Sequence, residues 1–127
     1  MSRPRILVAR EVFPEVIERL RQHFEVDDNQ ADTVLGVEGL KVRLADKVGA
    51  MTAVSDPVTA EVIAAAPALK AVCNFAVGYN NIDLAACTRA GVLVTNTPGV
   101  LDDTTADLAW ALLLATARHI QPSEHWL

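Results

Sequence analysis

The chain has 127 residues, a length that suits one compact domain, and a formal net charge of -5. Apolar residues make up 51% and aromatics 5%, which excludes disorder and, with Ala, Val and Leu dominant, fits a layered α/β domain. The acidic balance argues against a nucleic-acid surface, and the one dense basic stretch, "SRPR" from Ser2 to Arg5, reads as a solvated terminus.

Met1 to Arg10 is a short charged lead into a brief apolar run, Ile6 to Ala9, and is not a secretory signal. "RILVA" (Arg5 to Ala9) predicts a buried first strand. Phe13, Ile17, Leu20 and Phe24 then repeat at helical spacing behind Pro14, predicting an amphipathic helix laid on a sheet. "FEVDDN" predicts a second strand. "GVEGLKVRLADK" is a second helical segment with Leu40, Val42 and Leu44 partly periodic. "GAMTAV" (Gly49 to Val54) predicts a third strand, and Asp56-Pro57 a turn. Thr59 caps a helix through about Ala65, which Pro67 closes. "LKAVCNF" (Leu69 to Phe75) predicts a fourth strand. Asp83 opens a helix that Gly91 ends, and "VLVTN" (Val92 to Asn96) predicts a fifth strand.

Strands alternating with helices, each strand apolar on both faces, predict a flavodoxin- or Rossmann-like parallel five-stranded sheet with helices on both faces. The two cysteines, Cys73 and Cys87, form no CxxC and sit among apolar residues. They read as small buried hydrophobes in a reducing, cytoplasmic compartment.

"DDTTADLAWALLLATARHI" differs from the other helices. Thr104-x-x-Asp107 has a capping-box pattern in its Asp form. Asp102, Asp103 and Asp107 suit the positive helix end, and Arg118 and His119 the negative one. Leu108 to Ala117 is apolar almost all round, about half the length of a membrane span, so no membrane is implied. Such a helix expects neighbours on several sides, a second domain or a second subunit. The chain then stops at "QPSEHWL", and an ending on Trp126 and Leu127 suggests a cut chain.

"NFAVGYNNID" (Asn74 to Asp83) falls just past the fourth strand, at the carboxyl end of the sheet, where ligands of open parallel sheets bind. Gly78 lacks a Cβ, so the backbone there is free to take a positive φ and approach a ligand. Successive N–H groups around Ala76, Val77 and Gly78 can converge into an anion-binding nest. Asn80 and Asn81 equally suit an exit turn, with Asp83 as a helix cap, and the pattern alone favours that structural turn. His23, His119 and His125 have no carboxylate or Cys at triad or ligand spacing, so no metal site and no catalytic residue is assigned. The six glycines, Gly36, Gly39, Gly49, Gly78, Gly91 and Gly99, make neither GxGxxG nor a phosphate-binding loop.

With these residues collected, the chain resembles the amino-terminal part of a D-isomer-specific 2-hydroxyacid dehydrogenase. It is most similar to the glyoxylate/hydroxypyruvate reductase and 2-ketogluconate reductase branch. The residues that carry this are "VCNFAVGYNNIDLAACTRAGVLVTNTPGVL" (Val72 to Leu101) and "TTADLAWALLLATARHI" (Thr104 to Ile120). The resemblance covers the whole chain but only the first part of a family member. It implies that residues 1–100 are the amino-terminal segment of a substrate domain. Residues 101–127 would then be a crossing helix leading to a dinucleotide-binding domain that the chain lacks. It implies that the loop at Ala76, Val77 and Gly78 offers N–H groups to the carboxylate of a small 2-keto or 2-hydroxy acid. Thr105 would lie near the nicotinamide of NAD or NADP, which the missing domain mainly binds, and Leu108–Ala117 would pack in a homodimer. The family's catalytic Arg, Glu and His come from that missing domain, so none carries over, and the chain alone is expected to be inactive. Asp102 stands where relatives usually have Thr, a position at a helix start that suits an acid. The competing reading is a non-enzymatic flavodoxin-like binding or oligomerisation module of the corepressor kind, against which "TNTPGV" and the loop argue mildly.

Overall fold

A computed structural model describes residues 3–120 and Ser123. His125, Trp126 and Leu127 lie outside the described residues. The chain divides into two compact units, Met1–Thr97 and Pro98–Leu127.

Among its described residues the first unit holds five strands and four helices: β1 (Arg5–Val8), α1 (Pro14–Arg21), β2 (Glu25–Asp28), α2 (Gly36–Leu44), β3 (Gly49–Thr52), α3 (Ala60–Ala64), β4 (Ala71–Asn74), α4 (Leu84–Ala90) and β5 (Leu93–Thr95). All strand pairs are parallel, in the order β2-β1-β3-β4-β5. This is the flavodoxin-like order, with its switch point between β1 and β3.

The caps act as single-residue chemistry predicts. The Thr59 and Asp83 side chains accept from the N–H groups of Val62 and Ala86. Gly91 ends α4 in the left-handed region at φ 69°. β3 stops short of the predicted Val54 because the chain turns at Ala53. The Ala53 N–H donates to the Asp56 carboxylate at 2.8 Å, and the Asp56 N–H returns to the Ala53 carbonyl at 3.0 Å. Phe13 sits at the N-cap of α1 and is 75% exposed, so it does not belong to the buried stripe of that helix.

Helices lie on both faces of the sheet, as expected, but they cover the two faces unequally. Only the β1–α1–β2 connection runs toward one edge; the next three crossovers run the other way. Right-handed crossovers therefore place α1 alone on one face and α2, α3 and α4 together on the other. The core gathers on the three-helix face, where Leu7, Ala50 and Val72 meet Leu40, Leu44, Val62, Ile63, Ala86 and Cys87. On the α1 face, Val8 and Ile17 are buried apart from that cluster. Beyond them an open apolar groove of about 250 Å³ runs between Ile6, Leu20, Phe24, Met51, Ala71 and Cys73. A second, of about 540 Å³, opens toward the carboxyl end between Val12, Phe13, Pro14, Val16, Met51 and Phe75. Cys73 points to this partly covered face and is exposed, whereas Cys87 is buried, so only Cys87 is the buried hydrophobe expected of both.

The second unit contains α5 (Asp102–Ala117). Its N-cap is Leu101 with no side-chain cap, so Thr104 does not start the helix. Thr104 instead lies inside the first turn and its hydroxyl donates back to the Leu101 carbonyl at 3.1 Å. The chain enters this turn through Gly99 at φ 75°, a value glycine takes without strain. Leu108, Trp110, Leu112, Leu113 and Leu114 are all more than half exposed. No helix among the described residues is long and apolar enough to cross a membrane.

Candidate functional site

The loop after β4 lies at the carboxyl end of the sheet, and its entry and exit are both fixed. At entry the Phe75 N–H continues the ladder to the Thr52 carbonyl at 2.8 Å. At exit Val58 and Ile82 form an isolated parallel bridge, with Val58 N–H to Asn81 O at 2.8 Å and Asp83 N–H to Val58 O at 2.9 Å.

Between these ends, the four successive carbonyls from Ala76 to Tyr79 are taken up. The Ala76 carbonyl accepts from the Thr97 N–H at 3.0 Å. The Val77 carbonyl accepts from Asn96 Nδ2 at 2.8 Å, and the Gly78 carbonyl from Asn74 Nδ2 at 2.9 Å. The Tyr79 carbonyl accepts from the Ile82 N–H at 3.0 Å. The Ala76 and Val77 carbonyls thus both point at the Asn96–Thr97 segment. In a trans peptide the next N–H points the opposite way, and the described chain has no cis bond. The N–H groups of Val77 and Gly78 therefore turn away from that segment together, and no acceptor among the described residues meets them.

Two adjacent N–H groups with a common direction match the two oxygens of a carboxylate. Val77, Gly78 and Tyr79 are exposed, and a Cβ built on Gly78 would meet nothing within 4 Å. Gly78 does not adopt a positive φ, which corrects the expectation on that point. The space in front of it, rather than backbone strain, is what the glycine leaves open.

Asn74 is only 2% exposed at the end of an apolar strand. Thr52 Oγ1 donates to its Oδ1 at 3.0 Å, which leaves the Nδ2 side for the Gly78 carbonyl. Asn81 Nδ2 donates to the carbonyls of Ala53 and Asp56 at 3.0 and 2.9 Å, tying the loop exit to the turn after β3. Sequence reasoning gave Asn74 and Asn96 no role and made Asn81 only a turn residue. A readable signal existed: an amide closing the apolar run "AVCN" must find partners once buried.

The structure brings Ala76, Val77 and Gly78 together in one loop, with Ala76 contributing its tied carbonyl. Thr105 lies in the second unit, on the first turn of α5, and is exposed. Asp102 and Asp103 occupy the same first turn, where the helix end favours acids. His23 is exposed beyond the end of α1, its ring edge-on to Phe24. Among the described residues no three His, Cys, Asp or Glu side chains gather as metal ligands.

The family model for the D-isomer specific 2-hydroxyacid dehydrogenase catalytic domain matches residues 6–121. The glyoxylate reductase of Thermococcus kodakarensis is 44% identical over 124 residues, covering 98% of this chain and 37% of that protein. A putative D-isomer specific 2-hydroxyacid dehydrogenase from Polaromonas superposes with a TM-score of 0.81 at 34% identity, over 90% of this chain and 36% of that one. An NADPH-dependent glyoxylate/hydroxypyruvate reductase from Sinorhizobium meliloti, solved with NADP and malonate, superposes with a TM-score of 0.72 at 35% identity, over 99% of this chain and 38% of that one. The chain thus spans well under half the length of the relatives it matches. With its parallel sheet, its loop and its motifs in the family's order, the chain belongs to the D-isomer-specific 2-hydroxyacid dehydrogenase family.

Proposed function

We propose that this chain is the amino-terminal substrate-domain part of an NAD(P)-dependent D-2-hydroxyacid dehydrogenase that reduces a small 2-keto acid of the glyoxylate or hydroxypyruvate type. The observation that carries the reading is the loop after β4, where the exposed Val77 and Gly78 have N–H groups that meet no acceptor among the described residues while the Ala76, Val77 and Gly78 carbonyls are tied back. Relatives named glyoxylate reductase support the substrate class. In this reading residues 1–100 form the substrate-domain segment and residues 101–127 the crossing toward a dinucleotide-binding domain.

The residues of this chain do not make a nucleotide site by themselves. The adjacent Val77 and Gly78 N–H groups suit a carboxylate, and no glycine fingerprint is present in the sequence. The cofactor is therefore held mainly outside this chain, with Thr105 the one residue assigned to its nicotinamide end. Bound there, the cofactor supplies the hydride. This chain's share of the work is to fix the substrate carboxylate at Val77 and Gly78 and so orient the keto carbon. The apolar length of α5, Leu108–Ala117, serves as the homodimer contact.

Two measurements on the purified chain test this. NADPH with glyoxylate gives no oxidation above the blank, because the hydride site and the proton donor are absent. Titration with glyoxylate, followed by amide NMR, shifts the Val77 and Gly78 signals, whereas uncharged glycolaldehyde does not. Turnover by the chain alone, or glyoxylate shifts that bypass the loop, would overturn the reading.

A further inference from the structure

Resting on the carboxylate-cradle reading, we propose that Asn96 and Asn74 are its positioning residues: the Asn96 amide ties the Val77 carbonyl inward and so turns the Gly78 N–H outward, while the Asn74 amide fixes the peptide on the far side of the glycine.

A short exposed loop has no intrinsic reason to hold two N–H groups parallel, since each peptide plane can rotate at little cost when its carbonyl faces water. Here the rotation is blocked one peptide at a time. Asn96 Nδ2 holds the Val77 carbonyl at 2.8 Å and thereby sets the Gly78 N–H. The Thr97 N–H holds the Ala76 carbonyl at 3.0 Å and sets the Val77 N–H. Asn74 Nδ2 holds the Gly78 carbonyl at 2.9 Å and fixes the far side of the glycine. Its own orientation is set in turn, because Thr52 Oγ1 occupies the Oδ1 atom at 3.0 Å.

An amide is well suited to this role: it is neutral, so it leaves the anion's field undisturbed, and its flat –NH₂ reaches a carbonyl without becoming an acceptor there. A lysine or arginine in the same place would compete for the anion. Donors held ready before the ligand arrives need no reorganisation when it binds. Asn96 and Thr97 are also the last residues of the first unit, so the loop is anchored where the chain leaves the sheet.

The test compares the 127-residue chain with its Asn96→Ala and Asn74→Ala variants. Asn96 is half-buried at the edge of the unit, so its variant is expected to fold even if loss of the buried Asn74 is not tolerated. Nitrogen relaxation reads the order of the Val77 and Gly78 amides, and glyoxylate titration reads affinity. In Asn96→Ala these amides are expected to fall below an order parameter of about 0.6, and the Kd for glyoxylate to rise about tenfold, a loss on the scale of one hydrogen bond. Signals on the three-helix face should stay in place. A lowered Tm with unchanged loop order and unchanged Kd would show a merely structural role and overturn the inference while leaving the cradle standing. Failure of the unsubstituted chain to bind glyoxylate at Val77 and Gly78 would overturn the cradle itself, and the inference with it.

Discussion

Gly91 and Gly78 show how differently a glycine can matter. Gly91 is left-handed at φ 69° and donates to the Cys87 and Thr88 carbonyls that close α4. Gly91→Ala should cost about 1 kcal/mol, the penalty of an L side chain in that region. Gly78 has no positive φ and open space around its missing Cβ, so Gly78→Ala should leave Tm unchanged. Thermal unfolding of both variants decides the matter, and an equal drop in the two would refute the distinction. Asp56 gives a second expectation at this scale. It is fully buried, with Oδ2 on the Ala53 N–H and Oδ1 without a partner among the described residues. Burial pushes its carboxyl above the usual value, against the opposing pull of the Ala53 N–H and the Arg10 charge. The folded chain then holds this proton more tightly than the unfolded chain. Between the usual and the raised value, stability falls as pH rises. Urea unfolding as pH falls through the raised value toward the usual one should show a stabilising component that Asp56→Asn lacks; parallel pH profiles would exclude it. Asp27 works in the opposite sense. Burial raises its carboxyl, but the hydrogen bonds and charges of Arg43 and Lys47 outweigh that and hold it low. Its contribution is present at neutral pH and is lost as pH falls through its lowered folded value.

Among elements, the helix starts separate what one residue decides from what its neighbours decide. Asp83→Ala removes an acceptor 2.8 Å from the Ala86 N–H and should cost about 1 kcal/mol. Thr104→Ala should be close to neutral, because Thr104 caps nothing and its hydroxyl only back-bonds to Leu101. Chemical denaturation of the pair checks the contrast, and a Thr104→Ala loss as large as that of Asp83→Ala would contradict it. Asp83 was legible because it stands immediately before the helical run that Gly91 ends, with Asn80 and Asn81 taken by the exit turn. Thr104 was not, because "DDTT" offers successive residues of capping type, and the turn at Gly99 starts the helix before any of them can cap. The loop after β4 was legible as a place, since the carboxyl end of a strand and a glycine mark it. Its working geometry was not legible. It depends on where the Asn74 and Asn96 amides reach, and those are contacts across 4 and 19 residues of chain.

For the molecule as a whole, the parallel sheet followed from the strand-helix alternation, but its strand order and its unequally covered faces did not. A short apolar run is compatible with burial on either side, and only the direction of each crossover tells which side receives a helix. The first unit therefore carries an apolar sheet face that α1 covers only in part, and the second a helix with exposed apolar side chains. Leaving side chains such as Leu108, Leu112 and Leu113 in water costs several kcal/mol in total at about 25 cal/mol per Å². In keeping with the proposed α5 contact, sedimentation should show concentration-dependent association, and Leu108→Lys with Leu112→Lys should abolish it while Trp110 emission moves to the red. A chain that stays monomeric at high concentration would rule this contact out.

The first unit also carries its own pair of chemical reporters. Cys73 of β4 opens onto the α1 face beside Met51, and Cys87 of α4 is sealed in the core on the three-helix side with its thiol pushed up by burial. Iodoacetamide should therefore alkylate Cys73 readily and Cys87 only on unfolding. Whatever comes to cover the α1 side, be it further polypeptide or another subunit, would register as slowed alkylation at a single sulfur. Mass spectrometry could thus footprint the completion of this half-covered sheet without any label being engineered into the chain.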